Sequence, residues 1–129
     1  KIPREGLLIE SEAPEAKILF DRSHLHQTLW NLCRNAWRHS KQNAGSIRMY
    51  VSRAHYDDVV QLDVIDDGGG VRPEAQEQLF EPFFTTENQG TGLGLYIARE
   101  VCEANGASLD YVEVAPGGQF RICCKEAHA

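Results

Sequence analysis

Apolar and polar residues alternate along the chain with two different periods, and each period predicts a different kind of element. From residue 21 to residue 40 the apolar positions recur every three or four residues, with Leu25, Leu29 and Leu32 on one stripe, as in a helix that packs on a core. Asp21 or Ser23 supplies a side chain of the kind that caps helix N-termini. The pattern therefore predicts a core helix in the first third of the chain.

Two later segments alternate strictly instead. The sequence SIRMYVSRA, residues 46–54, has apolar residues at every second position around Met49, and VVQLDVID, residues 59–66, does the same around Leu62. Alternation of this kind predicts half-buried β-strands. The short polar gap HYDD between them predicts an antiparallel hairpin.

The remaining elements are shorter. Pro73 predicts the start of a helical stretch that runs to Leu79, and a second helix is predicted from Tyr96 to Asn105, where Asn105 and Gly106 form a stop signal. Closing strands are predicted in ASLDYVEV and GQFRICCK, and weaker strand candidates in GLLIE and AKILF near the start. Because the strand pairs look like hairpins rather than crossovers, we predict an α+β fold with helices on one face of the sheet.

Composition limits the classes of protein that fit. A chain of 129 residues with 42% hydrophobic and 25% charged residues is typical of one soluble domain. Its net charge of −6 and scattered Lys and Arg argue against a nucleic-acid partner. The four cysteines show no C-x-x-C spacing, so neither a zinc site nor a disulfide framework is indicated, and a reducing, cytoplasmic setting fits best. The opening KIPREG lacks a methionine, which suggests a single domain, residues 1–129, cut from a longer protein.

The first group of candidate residues lies on the predicted helix. Asn31, Asn35, Arg38 and His39 fall within an arc of about 100° beside the apolar stripe, with Gln27 at its edge. Asn is a poor residue in mid-helix, so two of them at i and i+4 invite a functional explanation. Amide oxygens suit Mg²⁺, and Arg and His suit phosphate. The alternative is an ordinary solvated helix face.

The second group is the sequence DVIDDGGGV. Asp66 shares a strand face with Leu62 and Val64, which predicts a carboxylate that points toward the core at the end of a strand. Such a carboxylate is costly without a partner. Gly68 and Gly70 would let a flat ligand with an exocyclic amine, such as adenine, reach it. The alternative is an acidic turn, because Asp-Gly is a common turn signal.

The third group is GTGLGLYIARE, in which Gly90, Gly92 and Gly94 precede a predicted helix. A dinucleotide-binding fold would require a strand directly before these glycines, and the sequence has instead a loop that contains Thr85 and Thr86. Glycines between a flap and a helix N-terminus can present backbone N–H groups to phosphates. We therefore predict a phosphate-binding lid hinge, which could hold ATP without a basic surface.

With LFEPFFTT between the second and third, these segments resemble the N, G1, F and G2 boxes of the catalytic ATP-binding domain of sensor histidine kinases. The same superfamily, GHKL, holds DNA gyrase, the MutL mismatch-repair proteins and a heat-shock chaperone. The resemblance covers residues 21–125, and the short flap is similar to that of nitrogen-regulatory and type IV pilus-regulatory kinases. It implies a Bergerat fold: a two-layer α/β sandwich with a mixed, mostly antiparallel sheet, helices on one face and an ATP lid.

The resemblance also implies roles for individual residues. Asn35 would ligand Mg²⁺, Asn31, Arg38 and His39 would line the phosphates, and Asp66 would accept a hydrogen bond from adenine N6. The ATP-binding set comprises Asn31, Asn35, Arg38, His39, Asp66, Gly68, Gly70, Val71, Phe84, Thr85, Thr86, Gly90, Thr91, Gly92, Leu93, Gly94 and Leu95. Asn31, Asn35 and Arg38 would act in catalysis. Two departures from the family pattern are a short lid and Gln119 in place of a Thr or Ser.

Three functions remain open on the sequence: phosphoryl donation to a histidine, ATP hydrolysis that drives a clamp, and nucleotide sensing without chemistry. The hydrolases of the superfamily carry a Glu where this chain has Asn31, and an amide cannot act as a general base. No histidine of the chain has the family's phosphoacceptor setting. We therefore predict the donor half of a histidine kinase. Its partners would be its own N-terminal dimerisation and phosphoacceptor domain and a response regulator. The isolated domain would be monomeric and the full kinase dimeric.

Overall fold

The computed structural model describes residues 2–55, 58–84, 92–113 and 117–127. Its elements, after a 3₁₀ turn at Arg4–Gly6, are β1 (Leu7–Ser11), α1 (Arg22–His39), β2 (Ile47–Arg53), β3 (Val59–Asp66), α2 (Pro73–Gln76), α3 (Gly94–Ala104), β4 (Ser108–Tyr111) and β5 (Gln119–Lys125). No helix formed by these residues is long and apolar enough to cross a lipid bilayer.

The five strands form one sheet in the order β1-β2-β3-β5-β4. β1 runs parallel to β2, and the other three pairs are antiparallel, so the sheet is mixed and mostly antiparallel as predicted. The predicted hairpin is confirmed, with Met49 opposite Val64.

The core lies between one face of the sheet and the two long helices. Alternation in β3 turns Val60, Leu62 and Val64 to this face, where they join Leu32 of α1 and Ala98 of α3 in one buried cluster. The opposite face is polar: Asp63 lies in the middle of β3 and accepts a hydrogen bond of 2.8 Å from Arg121 of β5. The predicted α+β sandwich with helices on one face is confirmed.

Helix α1 begins as the sequence indicates. The side chain of Asp21 accepts a hydrogen bond from the backbone N–H of His24 at 3.0 Å, which makes Asp21 the N-cap. The second helix, α3, starts at Gly94, two residues earlier than predicted, and α2 is confined to Pro73–Gln76 instead of reaching Leu79.

One strand prediction is wrong. AKILF, residues 16–20, forms a single bridge between Ile18 and Glu126 and no strand. The segment lies beside the same edge of β5 that pairs with β4. Because β4 occupies this edge as far as Cys123, the segment can pair only with the residues that follow. The turn predicted around Pro116 lies outside the described residues.

Candidate functional site

A cavity of about 610 Å³ opens between α1, the start of α3, the end of β3 and the loop that follows β3. Its volume is in the range of small-molecule sites. The described residues that line it are Gln27, Asn31, Arg34, Asn35, Arg38, His39, Asp66, Gly70, Val71, Arg72, Ala75, Leu79, Phe84, Gly92, Leu93, Gly94, Leu95, Ile97, Tyr111, Gly118 and Phe120. The cavity thus brings together residues from all three groups that the sequence singled out.

Asp66 lies at the inner end of the cavity and is only 7% exposed. Its Oδ1 accepts hydrogen bonds from the backbone N–H groups of Gly68 at 2.8 Å and Gly118 at 3.2 Å. Among the described residues none donates to its Oδ2. The carboxylate is therefore fixed through one oxygen and leaves the other as an acceptor for a ligand.

Gly68 does not line the cavity, although the sequence grouped it with Gly70. A Cβ at Gly68 would collide with the backbone carbonyl oxygen of His39, so the loop after β3 and the end of α1 touch backbone to backbone. Gly68 therefore positions the carboxylate of Asp66 and the end of α1, and its contact with a ligand stays a prediction. Gly70 and Val71 do line the cavity.

Asp67 holds the same loop in place through two hydrogen bonds. Its carboxylate accepts hydrogen bonds of 2.8 Å from the backbone N–H of Lys41 and from the hydroxyl of Ser46. These bonds, the one from Lys41 foremost, hold the pKa of Asp67 below its usual range. The charged side chain thus ties the loop to the segment between α1 and β2.

An aromatic floor closes the inner end of the cavity, and the sequence reasoning did not predict it. Tyr111 of β4 and Phe120 of β5 meet edge to face with 5.3 Å between ring centroids, and Phe80 meets Phe120 at 6.1 Å. The hydroxyl of Tyr111 accepts a hydrogen bond of 3.0 Å from the backbone N–H of Val71. Alternation places Tyr111 and Leu109 on one face of β4, which is the signal that could have indicated it.

The outer part of the cavity is lined by the polar strip of α1. Asn31, Asn35, Arg38 and His39 all lie there, as the helical spacing predicts. Two further cations join them, Arg34 from α1 and Arg72 from the loop before α2. Within the described part of the chain, the side chains of Arg34 and Arg72 form no hydrogen bond or ion pair. A chain of net charge −6 therefore concentrates positive charge at the mouth of this cavity.

The two ends of the flap segment meet beside α3. The backbone N–H of Phe83 donates to the carbonyl oxygen of Gly92 at 2.9 Å. Gly92 has φ +75°, and a Cβ there would collide with the backbone of Phe83, so a glycine is required. Phe84, Gly92, Leu93, Gly94 and Leu95 line the cavity, whereas Thr85, Thr86, Gly90 and Thr91 lie outside the described residues.

The first turn of helix α3 lies at the cavity. No side chain caps this turn, and its first residue, Gly94, lines the cavity. Uncapped N–H groups at a helix N-terminus favour an anion. The described residues hold no cluster of three or more His, Cys, Asp or Glu that could bind a metal ion unaided. An amide oxygen such as that of Asn35 is of a type that suits a Mg²⁺ whose other ligands are phosphate and water.

Comparison with known proteins agrees with this geometry. A family model described as histidine kinase-, DNA gyrase B- and HSP90-like ATPase matches residues 20–128. Sensor protein kinase PilS of Pseudomonas aeruginosa is 44% identical over 119 residues, which cover 90% of this chain and 22% of that protein. Sensor protein FixL of Bradyrhizobium diazoefficiens is 35% identical over 101 residues, 78% of this chain and 20% of that protein. The chain thus spans about a fifth of the length of both relatives.

Solved structures of histidine kinases are also similar to this chain. The nucleotide-free catalytic domain of histidine kinase ThkA superposes with a TM-score of 0.77 at 28% identity and covers 92% of this chain and 77% of that one. Full-length ShkA in complex with AMPPNP gives a TM-score of 0.78 at 30% identity, over 97% of this chain and 27% of that one.

Proposed function

Because the chain belongs to the family of histidine kinase-, DNA gyrase B- and HSP90-like ATPases, we propose that it is the ATP-binding catalytic domain of a sensor histidine kinase. It binds Mg-ATP and donates the γ-phosphate to a histidine on a separate dimerisation domain. The observation that carries this proposal is the carboxylate of Asp66, which is held through Oδ1 and leaves Oδ2 open in a cavity with cations at its mouth.

The inner end of the cavity, around Asp66, suits adenine, and we call it the base site. A buried carboxylate oxygen accepts a hydrogen bond from an exocyclic amine, and a carboxylate acceptor makes that bond stronger than a neutral one. The aromatic floor of Tyr111 and Phe120 offers apolar surface to the ring. Together they favour a purine with an amine over one with a carbonyl at the same place.

The outer part suits a triphosphate. Asn31, Arg38 and His39 donate to or pair with phosphate oxygens, and the uncapped first turn of α3 adds backbone N–H groups. Asn35 would hold the Mg²⁺, which would neutralise phosphate charge there. We assign Gly90 and Thr91, with Thr85 and Thr86, to the lid over the phosphates.

Phosphoryl transfer fits the site better than hydrolysis does. Asn31 lines the cavity. By the family resemblance it stands where the hydrolases of the superfamily carry a Glu, and an amide does not titrate in the useful range. In transfer, the bond between the γ-phosphorus and the bridging oxygen breaks, a phosphorus–nitrogen bond to imidazole forms, ADP leaves and the imidazole proton passes to solvent. This step needs alignment and charge neutralisation rather than a base in the domain.

The acceptor histidine and the partners belong to the same proposal. Each of the five histidines, 24, 26, 39, 55 and 128, is followed by a residue other than Asp or Glu. We assign the acceptor to an N-terminal dimerisation domain of a longer, dimeric kinase and the next phosphoryl transfer to a response regulator. The kinase domain works in the cytoplasm, where ATP is available, and as an isolated domain it is monomeric.

The proposal is tested with γ-labelled ATP. The chain alone should bind Mg-ATP, with a dissociation constant on the order of micromolar or weaker, and should neither label itself nor release phosphate appreciably. A separately produced dimerisation domain with its histidine should become labelled when it is added, and the label should be lost in acid and kept in alkali. Brisk phosphate release by the chain alone would favour a clamp-type ATPase. Binding without transfer to the intact acceptor would favour a nucleotide-sensing module.

A further inference from the structure

We call the first cavity, which Asp66 and Asn35 line, the nucleotide cavity. A second cavity lies on the opposite side of α1, and its volume is about 880 Å³. We call it the β1–α1 groove. Its lining consists of Ile2, Pro3, Arg4, Leu7, Ile9, Arg22, Leu25, His26, Leu29, Trp30 and Cys33. None of these residues lines the nucleotide cavity, so the two sites can be altered separately.

The groove lies where the packing of α1 against the core ends and its apolar residues continue to the surface. Thr28, Leu32 and Ala36 are buried against the core. Leu25 and Leu29 pack against the edge of this core and are only partly buried, and they line the groove together with Trp30. Trp30 is 48% exposed, and on the facing strand Ile9 is 66% exposed. Large apolar side chains gathered in an exposed groove are typical of a binding surface.

The length of the groove follows from the spacing of its residues along α1. Positions 22, 25, 26, 29, 30 and 33 line it at intervals of three and four residues. From Arg22 to Cys33 the helix rises about 16 Å, or three turns. A helix laid along this path would meet it with side chains at i, i+3 or i+4, and i+7.

The charge of the groove selects among such helices. Three basic side chains, Arg4, Arg22 and His26, lie among the apolar ones, and no acidic residue is among the described residues that line the groove. The side chains of Arg4 and Arg22 form no hydrogen bond or ion pair within the described part of the chain. This sign is opposite to the net charge of −6 of the whole chain. The groove is therefore complementary to carboxylates that flank an apolar stripe.

We propose that the β1–α1 groove is a docking site for an amphipathic α-helix about three turns long, with an aliphatic stripe bordered by Asp or Glu. The aliphatic side chains enter between Trp30 and Ile9, and the carboxylates pair with Arg4 and Arg22. Such a contact would hold another domain or protein on the domain without covering the nucleotide cavity.

The probe for the test is a fluorescent helical peptide of about four turns, with leucines on one stripe and glutamates beside them. Two control peptides have the same leucines in scrambled positions, or lysine in place of every glutamate. Binding is followed by anisotropy and by the NMR signals of the two tryptophan indoles. Trp37 packs against Gly6 and does not line the groove, so it serves as the internal reference.

We expect the acidic amphipathic peptide to bind at least tenfold more tightly than either control and to shift the indole signal of Trp30 more than that of Trp37. Trp30→Ala should weaken binding at least tenfold. Arg22→Glu should weaken binding of the glutamate peptide and strengthen binding of the lysine peptide. ADP affinity, measured on the same variants, should be unchanged, which shows that they are folded.

Other outcomes would overturn the proposal. One is equal binding of the scrambled peptide, and another is no effect of Trp30→Ala in a variant that still binds ADP. A third is self-association of the chain that Trp30→Ala abolishes, which would make a second copy of the chain the occupant. Because the groove is independent of the nucleotide cavity, failure here would leave the kinase proposal untouched. Failure of ADP binding in the unaltered chain would count against the kinase proposal alone.

Discussion

The backbone carbonyl oxygen of His39, at the end of α1, lies against the Cα of Gly68, with no room for a side chain between them. This contact joins the helix that carries the phosphate-side residues to the loop that follows Asp66. Neither partner can yield by changing a rotamer, since the obstructing atom belongs to the backbone. The placement of α1 relative to the loop that follows Asp66 therefore depends on the absence of a Cβ at Gly68.

Gly68→Ala should destabilise the domain and weaken ADP binding together, because the added methyl group pushes the end of α1 away from the loop. Overpacking of this kind costs about 1–3 kcal/mol. Gly69→Ala is the matched control, since a Cβ at Gly69 has no heavy atom within 4 Å. Urea denaturation and calorimetry with ADP measure both effects. Equal behaviour of the two variants would contradict the importance of the contact.

Asp66→Asn should leave the domain folded and weaken ADP binding roughly 10- to 100-fold, because a charge-assisted hydrogen bond worth about 1.5–3 kcal/mol is lost. The amide oxygen can still accept from Gly68 and Gly118, while the amide N–H₂ would face the amine of adenine. Asp110→Asn is the control, since Asp110 pairs with Arg99 on the surface and does not line the cavity. Unchanged affinity in folded Asp66→Asn would remove Asp66 from the base site.

Periodicity predicted the parts of the fold and site that depend on local pattern. The alternation of β3 indicated that Asp66 points inward, and the helical spacing of α1 indicated that Asn31, Asn35, Arg38 and His39 share one side. Both predictions are confirmed. The family, predicted from four motifs in order, is confirmed as well.

The predictions that failed or were missing depend on contacts between distant segments. AKILF has strand-like residues, but β4 already occupies the edge of β5 that it would need. Tyr111 contacts Val71 across 40 positions of sequence, and nothing in either segment alone specifies that hydrogen bond. Nothing in either segment alone indicated that the carbonyl oxygen of His39 lies against Gly68, and the assignment of Gly68 to the ATP site stays a prediction.

Tyr111→Phe removes only the hydroxyl that accepts from the N–H of Val71. A fully buried donor left without a partner costs about 1–3 kcal/mol, and the N–H of Val71 is partly buried, so the loop that lines the base site should loosen and ADP affinity should fall several-fold. Tyr50→Phe is the control, because Tyr50 lies on β2, outside the cavity. Calorimetry on both variants tests this, and identical ADP affinities would show that the hydroxyl does not shape the site.

The stability of the domain should depend on the charge of Asp67. Hydrogen bonds from Lys41 and Ser46 favour the ionised form, so the pKa of Asp67 is lower in the folded chain than in the unfolded one. Its stabilising contribution is then complete above the unfolded pKa of about 3.9 and is lost as the pH falls through the lower, folded pKa. Asp67→Asn should be less stable than the unaltered chain at pH 7, and the difference should shrink below about pH 4. Denaturation series at several pH values test this, and a difference that is constant with pH would contradict it.

Asn35→Ala should reduce the part of nucleotide affinity that depends on Mg²⁺ and leave metal-free ADP binding almost unchanged. The lost group is an oxygen ligand at the outer part of the cavity, away from the base site around Asp66. Loss of a residue that merely supports a metal ligand costs about 10- to 100-fold in metal affinity, so loss of a ligand itself should cost at least about tenfold. The measurement is calorimetry with a non-hydrolysable ATP analogue, with Mg²⁺ and with EDTA. Asn43→Ala, an exposed asparagine outside the cavity, is the matched control and should behave as the unaltered chain does. Equal losses with and without metal would assign Asn35 to packing of α1 rather than to Mg²⁺.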